Sequence, residues 1–363
     1  MTDEIAAERL EAWLRGRLPD TVRLGQLRRA PVGQSSRTML FDARWRGGHG
    51  EFVLRVQPGP DGIFLEPDAA REFRVLEALS GSGVAVPRVR WLERDPAVLG
   101  APFFVMDRVE GTVPAGRPSI HAAGWLPTLT PARRRRLWES ALAELVAVHA
   151  VDWRRSHAFL RPDGDAGLAG HLARTAAWYR WAARGRSFPI TDAALRSLFD
   201  RLPSVEAGEP VLLWGDARPG NMIFSTDGPA VAAVLDWEVA TIGPAAVDLA
   251  HWLVFDEFAT TACGVDRLPG YPDRAATIAR YEQLSGRAPR DLDYFEVLEC
   301  FFLATTLIRQ TDAAVHSGAI GPETRMAHDN TVTQMLARRL GLPVPEPAAD
   351  YLRHRRAAAG KGK

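Results

Sequence analysis

Trp214-Gly215-Asp216-Ala217-Arg218-Pro219-Gly220-Asn221, followed by Val234-Leu235-Asp236-Trp237-Glu238, is the stretch whose reading decides the fold. Asp216 and Asn221 stand five residues apart, and Asp236 lies beyond two short apolar runs, 222–224 and 231–235. Between those runs sits Asp227-Gly228, a pair suited to a hairpin turn. Side chains on a loop that enters a hairpin, and at the hairpin's far end, are held by the flanking strands. Phosphoryl transfer needs positioned charge more than covalent chemistry. On that reading Asp216 is the carboxylate that orients an acceptor hydroxyl, and Arg218 is the cation for the transferring phosphate. Asn221 and Asp236 are then two oxygen ligands suited to magnesium. An isolated D-x-x-x-x-N reads instead as turn residues, with Asp236 a strand-end cap. The coincidence of Arg218, the hairpin and Asp236 in one register favours chemistry.

A length of 363 residues exceeds the usual single domain and suggests two lobes. With 46% hydrophobic and 25% charged residues, the chain has the make-up of an ordinary globular protein. Lys plus Arg number 45 against 44 Asp plus Glu, a balance that points to neither nucleic acid nor an anionic membrane as partner. Cys263 and Cys300 lie far apart without metal-ligand spacing, which argues against a disulfide framework or a zinc site. The acidic start, Met-Thr-Asp-Glu, lacks the pattern of a signal peptide, and no apolar run is long enough to span a membrane. A cytoplasmic location is the expectation, with oligomeric state open. Lys361 and Lys363 are the only lysines, so a lysine-dependent mechanism in the folded body is excluded.

Residues 4–18 place Ile5, Leu10, Trp13, Leu14 and Leu18 on one helical face. Residues 22–29, 38–45 and 51–56 read as strands, the last two turning through Gly47-Gly48-His49-Gly50. Helical periodicity over 68–79 with Asp68 as N-cap, then strands at 87–92 and 103–106, complete a five-stranded antiparallel sheet with one helix. Beyond Gly111 the pattern turns helical, at 131–149, 167–185, 191–202, 244–258, 272–285, 291–317 and 321–340. The arginine run 133–136 reads as a solvated first turn. In this half, β character is expected only at 211–214, 222–224 and 231–235, and residues 346–363 read as a loose tail. The fold class is therefore α+β and bilobal. The expected divisions are a β-rich lobe at 1–105, a connection at 106–111, a mainly helical lobe carrying the loop and hairpin at 112–345 and a tail at 346–363.

These motifs, with Gly243-Pro244 and Asp248-Leu249-Ala250, resemble the aminoglycoside phosphotransferase/choline kinase superfamily, which has a protein-kinase-like fold. The branch resembled is the one with kinase modules fused to acyl-CoA dehydrogenases. Further matches are Gly33-Gln34-Ser35-Ser36-Arg37-Thr38, Phe52-Val53-Leu54-Arg55, Arg71-Glu72-Phe73, residues 99–111 and residues 145–152. The resemblance implies that ATP and magnesium are used and that Gly33, Ser35 and Ser36 cover the phosphates. It puts Arg55 where kinases carry a strand lysine, paired with Glu72, and a hinge through Met106 and Arg108 whose backbone binds adenine. A guanidinium can still bridge two phosphates, with a wider fork than an ammonium. Asp248 resembles an aspartate that braces the catalytic loop. Trp214 departs from the pattern, which has His before Gly-Asp. His149 reads as a satisfied core or capping histidine.

Two functions follow. The first is a small-molecule kinase that moves the γ-phosphate to a hydroxyl of a hydroxyacyl-CoA-like compound, an aminoglycoside or another hydroxylated metabolite. The second, prompted by Arg55 and Trp214, is a nucleotide-binding pseudokinase with a regulatory role. No nucleophile elbow points to a hydrolase. A polycationic acceptor calls for an acidic pocket, yet Asp256, Glu257, Asp291, Asp293, Glu296 and Glu299 are interspersed with arginines.

Overall fold

A computed structural model describes residues 3–18, 22–30, 37–59, 61–116, 119–161 and 164–353. Gly33, Ser35 and Ser36, the side chain of Ile5 and the end of the tail with both lysines lie outside them. The chain divides into two compact units, Met1–Glu110 and Gly111–Lys363.

The first unit is a twisted antiparallel sheet with a helix on each face. Its elements are α1 (Asp3–Leu14), β1 (Arg23–Leu24), β2 (Arg28–Arg29), β3 (Arg37–Trp45), β4 (Gly48–Val56), α2 (Ala69–Leu79), β5 (Val89–Glu93) and β6 (Phe103–Asp107). Strand order is β1-β3-β4-β6-β5, with β2 also pairing β3. The sheet therefore has six strands, because the stretch expected as one strand at 22–29 is two short ones split at Gly25-Gln26-Leu27. Gly25 tolerates the close approach of the Asp42 carboxylate, which a Cβ would meet at 2.3 Å.

The turn between β3 and β4 is also tighter than its glycines suggest. Trp45 pairs with Gly48, leaving Arg46 and Gly47 as the turn, and Gly47 supplies the required positive φ of 85°. Gly48 and Gly50 are strand residues whose missing side chains make room for the rings of Trp45 and Phe52. Leu10, Trp13 and Leu14 of α1 pack on one sheet face against Phe41, Phe52, Phe103 and Val105. On α2, Asp68 accepts hydrogen bonds from the backbone N–H groups of Ala70 and Arg71, capping a helix that buries Val75, Leu76 and Leu79. Each such fully buried aliphatic side chain contributes about 1.5–3 kcal/mol relative to exposure.

The second unit is mainly helical. It contains α3 (Pro131–His149), α4 (Trp153–Ser156), α5 (Leu168–Ala183), α6 (Pro189–Arg201), β7 (Pro210–Leu213), β8 (Met222–Phe224), β9 (Val231–Val234), β10 (Thr241–Pro244), α7 (Ala245–Ala259), α8 (Arg274–Ser285), α9 (Leu292–His316) and α10 (Thr331–Leu340). The long α9 packs against α5, α6, α7 and α10. Strands β8 and β9 form the expected hairpin.

Three expectations need correction. β10 pairs antiparallel with β7, although its Gly243-Pro244 ending has the composition of a turn. Helix over 321–340 shrinks to α10, because Asn330 and Thr333 form a capping box that starts the helix ten residues late. Arg134 is not solvated with its neighbours. It is buried and donates to the carbonyls of Leu126, Pro127 and Pro269. No described helix is long and apolar enough to cross a membrane.

Candidate active site

Loop 214–221 leaves β7, closes in a 3₁₀ turn at Pro219–Asn221 and runs directly into β8. Gly215 has a φ of +90°, and a Cβ there would stand 2.8 Å from the carbonyl oxygen of Val239. Only glycine meets both conditions without strain. Gly215→Ala is expected to destabilise the chain by roughly 1–3 kcal/mol, read as a lowered thermal midpoint.

The loop is anchored from beneath by Asp248, a fully buried residue near the start of α7. Its Oδ2 accepts from the N–H of Trp214 at 2.7 Å, and its Oδ1 accepts from the N–H of Gly215 at 2.9 Å. His149 closes the other side, with Nε2 3.1 Å from Asp248 Oδ2 and Nδ1 2.8 Å from the Tyr281 hydroxyl. His149 is thus a satisfied buried histidine that supports Asp248. Trp214 is fully buried and donates from Nε1 to the carbonyl of Leu235 at 2.8 Å. Its ring lies 6.1 Å from that of Trp237. The indole therefore ties the loop to the segment that carries Asp236.

Asp216, Arg218 and Asn221 come together. Arg218 forks onto the Asp216 carboxylate, Nε to Oδ1 at 2.9 Å and Nη2 to Oδ2 at 3.3 Å, while its guanidinium lies 4.8 Å from the centroid of Phe255. Asn221 Nδ2 donates to both the backbone carbonyl and Oδ2 of Asp216. The carbonyl of Asn221 accepts from the N–H of Leu235 at 2.8 Å, which sets Asp236 next along the chain from that contact. Asp236 has a φ of +67°, a left-handed conformation uncommon outside glycine and often found at functional positions. Its half-buried carboxylate and the Asn221 amide are hard oxygen donors. Among the described residues no group of three or more His, Cys, Asp or Glu is arranged to hold a metal. Magnesium does not need one, since it is commonly held by one or two protein oxygens together with substrate phosphates. The donor set fits that mode.

His251 was not singled out by sequence. It is fully buried on α7, one turn beyond Asp248, and its Nε2 lies 2.9 Å from Asp216 Oδ1. Its Nδ1 lies 2.7 Å from Glu299 Oε2 on α9. Burial alone would pull the imidazolium down, but hydrogen bonds to Asp216 and Glu299, and their charges, outweigh it and raise its pKa to about 9. Burial likewise pushes the Asp216 carboxyl up. The Arg218 charge and the His251 contact outweigh that and hold it well below the usual carboxylate range. The Asp248-to-His251 spacing, with both side chains toward one loop, is the signal that could have found His251.

In the first unit, Arg55 on β4 and Glu72 on α2 form a buried ion pair, Nη2 to Oε1 at 2.7 Å. Arg55 Nη1 also donates to Thr38 Oγ1 at 3.3 Å. Met106 lies in β6 as its expected strand has it, and Asp107 extends that strand one residue further into the expected hinge. The Arg108 N–H donates to the carbonyl of Glu51, and its side chain pairs with the Glu51 carboxylate.

The profile of the phosphotransferase enzyme family matches residues 26–295, most of the chain. The chain belongs to that family. Among curated relatives of this phosphotransferase, acyl-CoA dehydrogenase family member 10 of Mus musculus is 31% identical over 254 residues, 69% of this chain and 22% of that protein. The chain thus spans under a quarter of that relative's length. A solved Ralstonia eutropha structure, provisionally assigned as an aminoglycoside phosphotransferase, is 26% identical with a TM-score of 0.67, covering 92% of this chain and 98% of that one. The choline kinase of Streptococcus pneumoniae, solved in complex with AMP, shares the fold at a TM-score of 0.57 and 12% identity, covering 92% of this chain and 97% of that one.

Proposed function

We propose that this phosphotransferase moves the γ-phosphate of ATP, with magnesium, to the hydroxyl of a small molecule. The observation that carries the reading is the interlocked loop: Asp216 bonded to Asn221, and Asn221 bonded through its carbonyl to the residue before Asp236. The solved likeness to a choline kinase with AMP supports a nucleotide donor. Arg55, held by Glu72, would bind nucleotide phosphates, with residues 33–38 and the backbone around Met106 and Arg108 assisting. Asn221 and Asp236 would hold magnesium, which neutralises charge on the phosphate oxygens when bound.

In the reaction the acceptor oxygen forms a bond to the γ-phosphorus as the bond to the β,γ-bridging oxygen breaks, and ADP leaves. The hydroxyl proton passes to Asp216. A carboxylate held as low as Asp216 is a weak base, so its main task is to orient the hydroxyl, with proton transfer late. Arg218 would turn from Asp216 to the transferring phosphate.

The acceptor is proposed to be a hydroxyacyl thioester such as a hydroxyacyl-CoA, rather than a polycation. The acidic residues of the second unit are largely consumed by arginines: Asp256 by Arg267, Glu257 by Arg339, Glu296 by Arg274 and Asp293 by Arg201. Half-buried Phe255 and Phe302 flank His251 beside Asp216, and Trp178 packs on Phe302 with centroids 4.9 Å apart. A relative that carries an acyl-CoA dehydrogenase name points the same way.

A screen of ADP release against hydroxyacyl-CoAs, aminoglycosides, macrolides, choline and sugars tests this. Turnover is expected with a hydroxyacyl-CoA and should vanish when EDTA removes magnesium. A response confined to aminoglycosides would overturn the acceptor. The second reading, a pseudokinase, draws on Arg218 closing over Asp216. It predicts thermal stabilisation by MgATP without turnover of any acceptor.

A further inference from the structure

Phosphoryl transfer by the loop requires that Asp216 keep its orientation after Arg218 leaves it. Four hydrogen bonds reach the carboxylate from side chains, two of them from Arg218. Once those two are given up, Asn221 still holds Oδ2 and only His251 holds Oδ1 among these contacts. His251 is well suited to that duty. Its ring is wholly buried, with Phe255 at 4.8 Å and Phe302 at 6.1 Å between centroids, and Glu299, itself 3% exposed, takes its second nitrogen. A ring with both nitrogens engaged and aromatic neighbours on two sides cannot swing away from Asp216 without breaking buried hydrogen bonds.

Charge favours the same arrangement. Asp216, Arg218, His251 and Glu299 form an alternating group, with Asp248 further back on α7 but turned to the loop N–H groups. Departure of Arg218 would leave the half-buried Asp216 carboxylate with protonated His251 as its remaining cationic side chain among these contacts. The Glu299 contact at Nδ1 favours that charge, against a burial that pushes the Glu299 carboxyl itself up.

We propose that His251, backed by Glu299, is the positioning residue that fixes the Asp216 carboxylate by Oδ1, so that Oδ2, shared with Asn221, can accept from the acceptor hydroxyl when Arg218 moves to the phosphate. The proposal rests on the phosphotransferase reading above. It assigns a role to α7 and α9 beyond that of core helices: they supply the support behind the reacting carboxylate. A misplacement of about 1 Å in such a group can cost some 10²-fold in rate.

The test compares His251→Phe, which keeps the ring volume but has no donor, with His251→Gln, which retains an N–H for Asp216. Steady-state kinetics use the acceptor found by the screen, or water in MgATP hydrolysis. His251→Phe is expected to lower kcat by about 10²-fold with the KM for ATP within about twofold. His251→Gln should recover most of the loss at a similar thermal midpoint. A kcat retained in His251→Phe, or an equal fall in both variants that tracks their melting, would overturn the proposal. No ADP from the native chain with any acceptor would instead sink the phosphotransferase reading. In that case ¹⁵N imidazole spectra decide. His251 should stay doubly protonated to about pH 9 in the native chain, and Asp216→Asn should shift that titration towards neutrality. Spectra unchanged by Asp216→Asn would show no coupling and overturn the proposal.

Discussion

Asp216→Ala is expected to lower kcat by about 10³-fold while MgATP still raises the thermal midpoint as it does for the native chain. The substitution removes the only loop carboxylate that receives Arg218, Asn221 and His251 together. On the proposed reading the variant would still bind nucleotide and metal, because Asn221 and Asp236 are backbone-tethered through Leu235 and not through the Asp216 side chain alone. Asp216→Asn is the stricter version. It preserves the size and most of the hydrogen bonding, so a comparable loss there separates the charge of the carboxylate from its packing. Activity within tenfold of native in either variant would rule out Asp216 as the group that orients the hydroxyl.

The largest effect on stability is expected at Asp248. Asp248→Ala strands the N–H groups of Trp214 and Gly215 and the Nε2 of His149 in a dry interior. A buried hydrogen-bonding group left without a partner costs about 1–3 kcal/mol, and Asp248 serves three of them. These costs overlap at one site, so a total near 3–5 kcal/mol is expected, or a fall of roughly 5 °C in melting temperature for a chain of this length. Asp248→Asn keeps an acceptor for one loop N–H and should recover part of it. Thermal denaturation of the three proteins checks this, and a change below about 2 °C for the alanine variant would show that the loop has other support.

The two predictions differ in kind. On the proposed reading Asp216 would act on the rate, because its side-chain contacts converge on the carboxylate that orients the acceptor. Asp248 acts on the fold because its contacts converge on the backbone beneath that group. Gly215 lies between them, which is why its positive φ matters to both.

Much of this was legible in the sequence. Turn chemistry at Asp227-Gly228 and the two short apolar runs beside it located the hairpin, and the spacing of Asp216, Asn221 and Asp236 around it located the loop. Asp68 announced the start of α2, and Glu72 on that helix meets Arg55 as expected. Such features are local: each rests on a few neighbouring residues whose preferences for turn, cap or strand are intrinsic. Where the reading failed, the deciding contact was distant. β10 exists because β7 is there to pair with it, and the buried Arg134 is fixed by a carbonyl 135 residues away at Pro269.

By itself, then, the sequence determined most of the elements, the loop that carries Asp216 and the residue types suited to phosphate and magnesium. Only the tertiary structure decided what stands behind that carboxylate. His251 and Glu299 are 48 residues apart on helices whose periodicity says which face is apolar but not which helix lies opposite. Packing of α7 on α9 brings one imidazole between two carboxylates, and burial there gives the charges their strength.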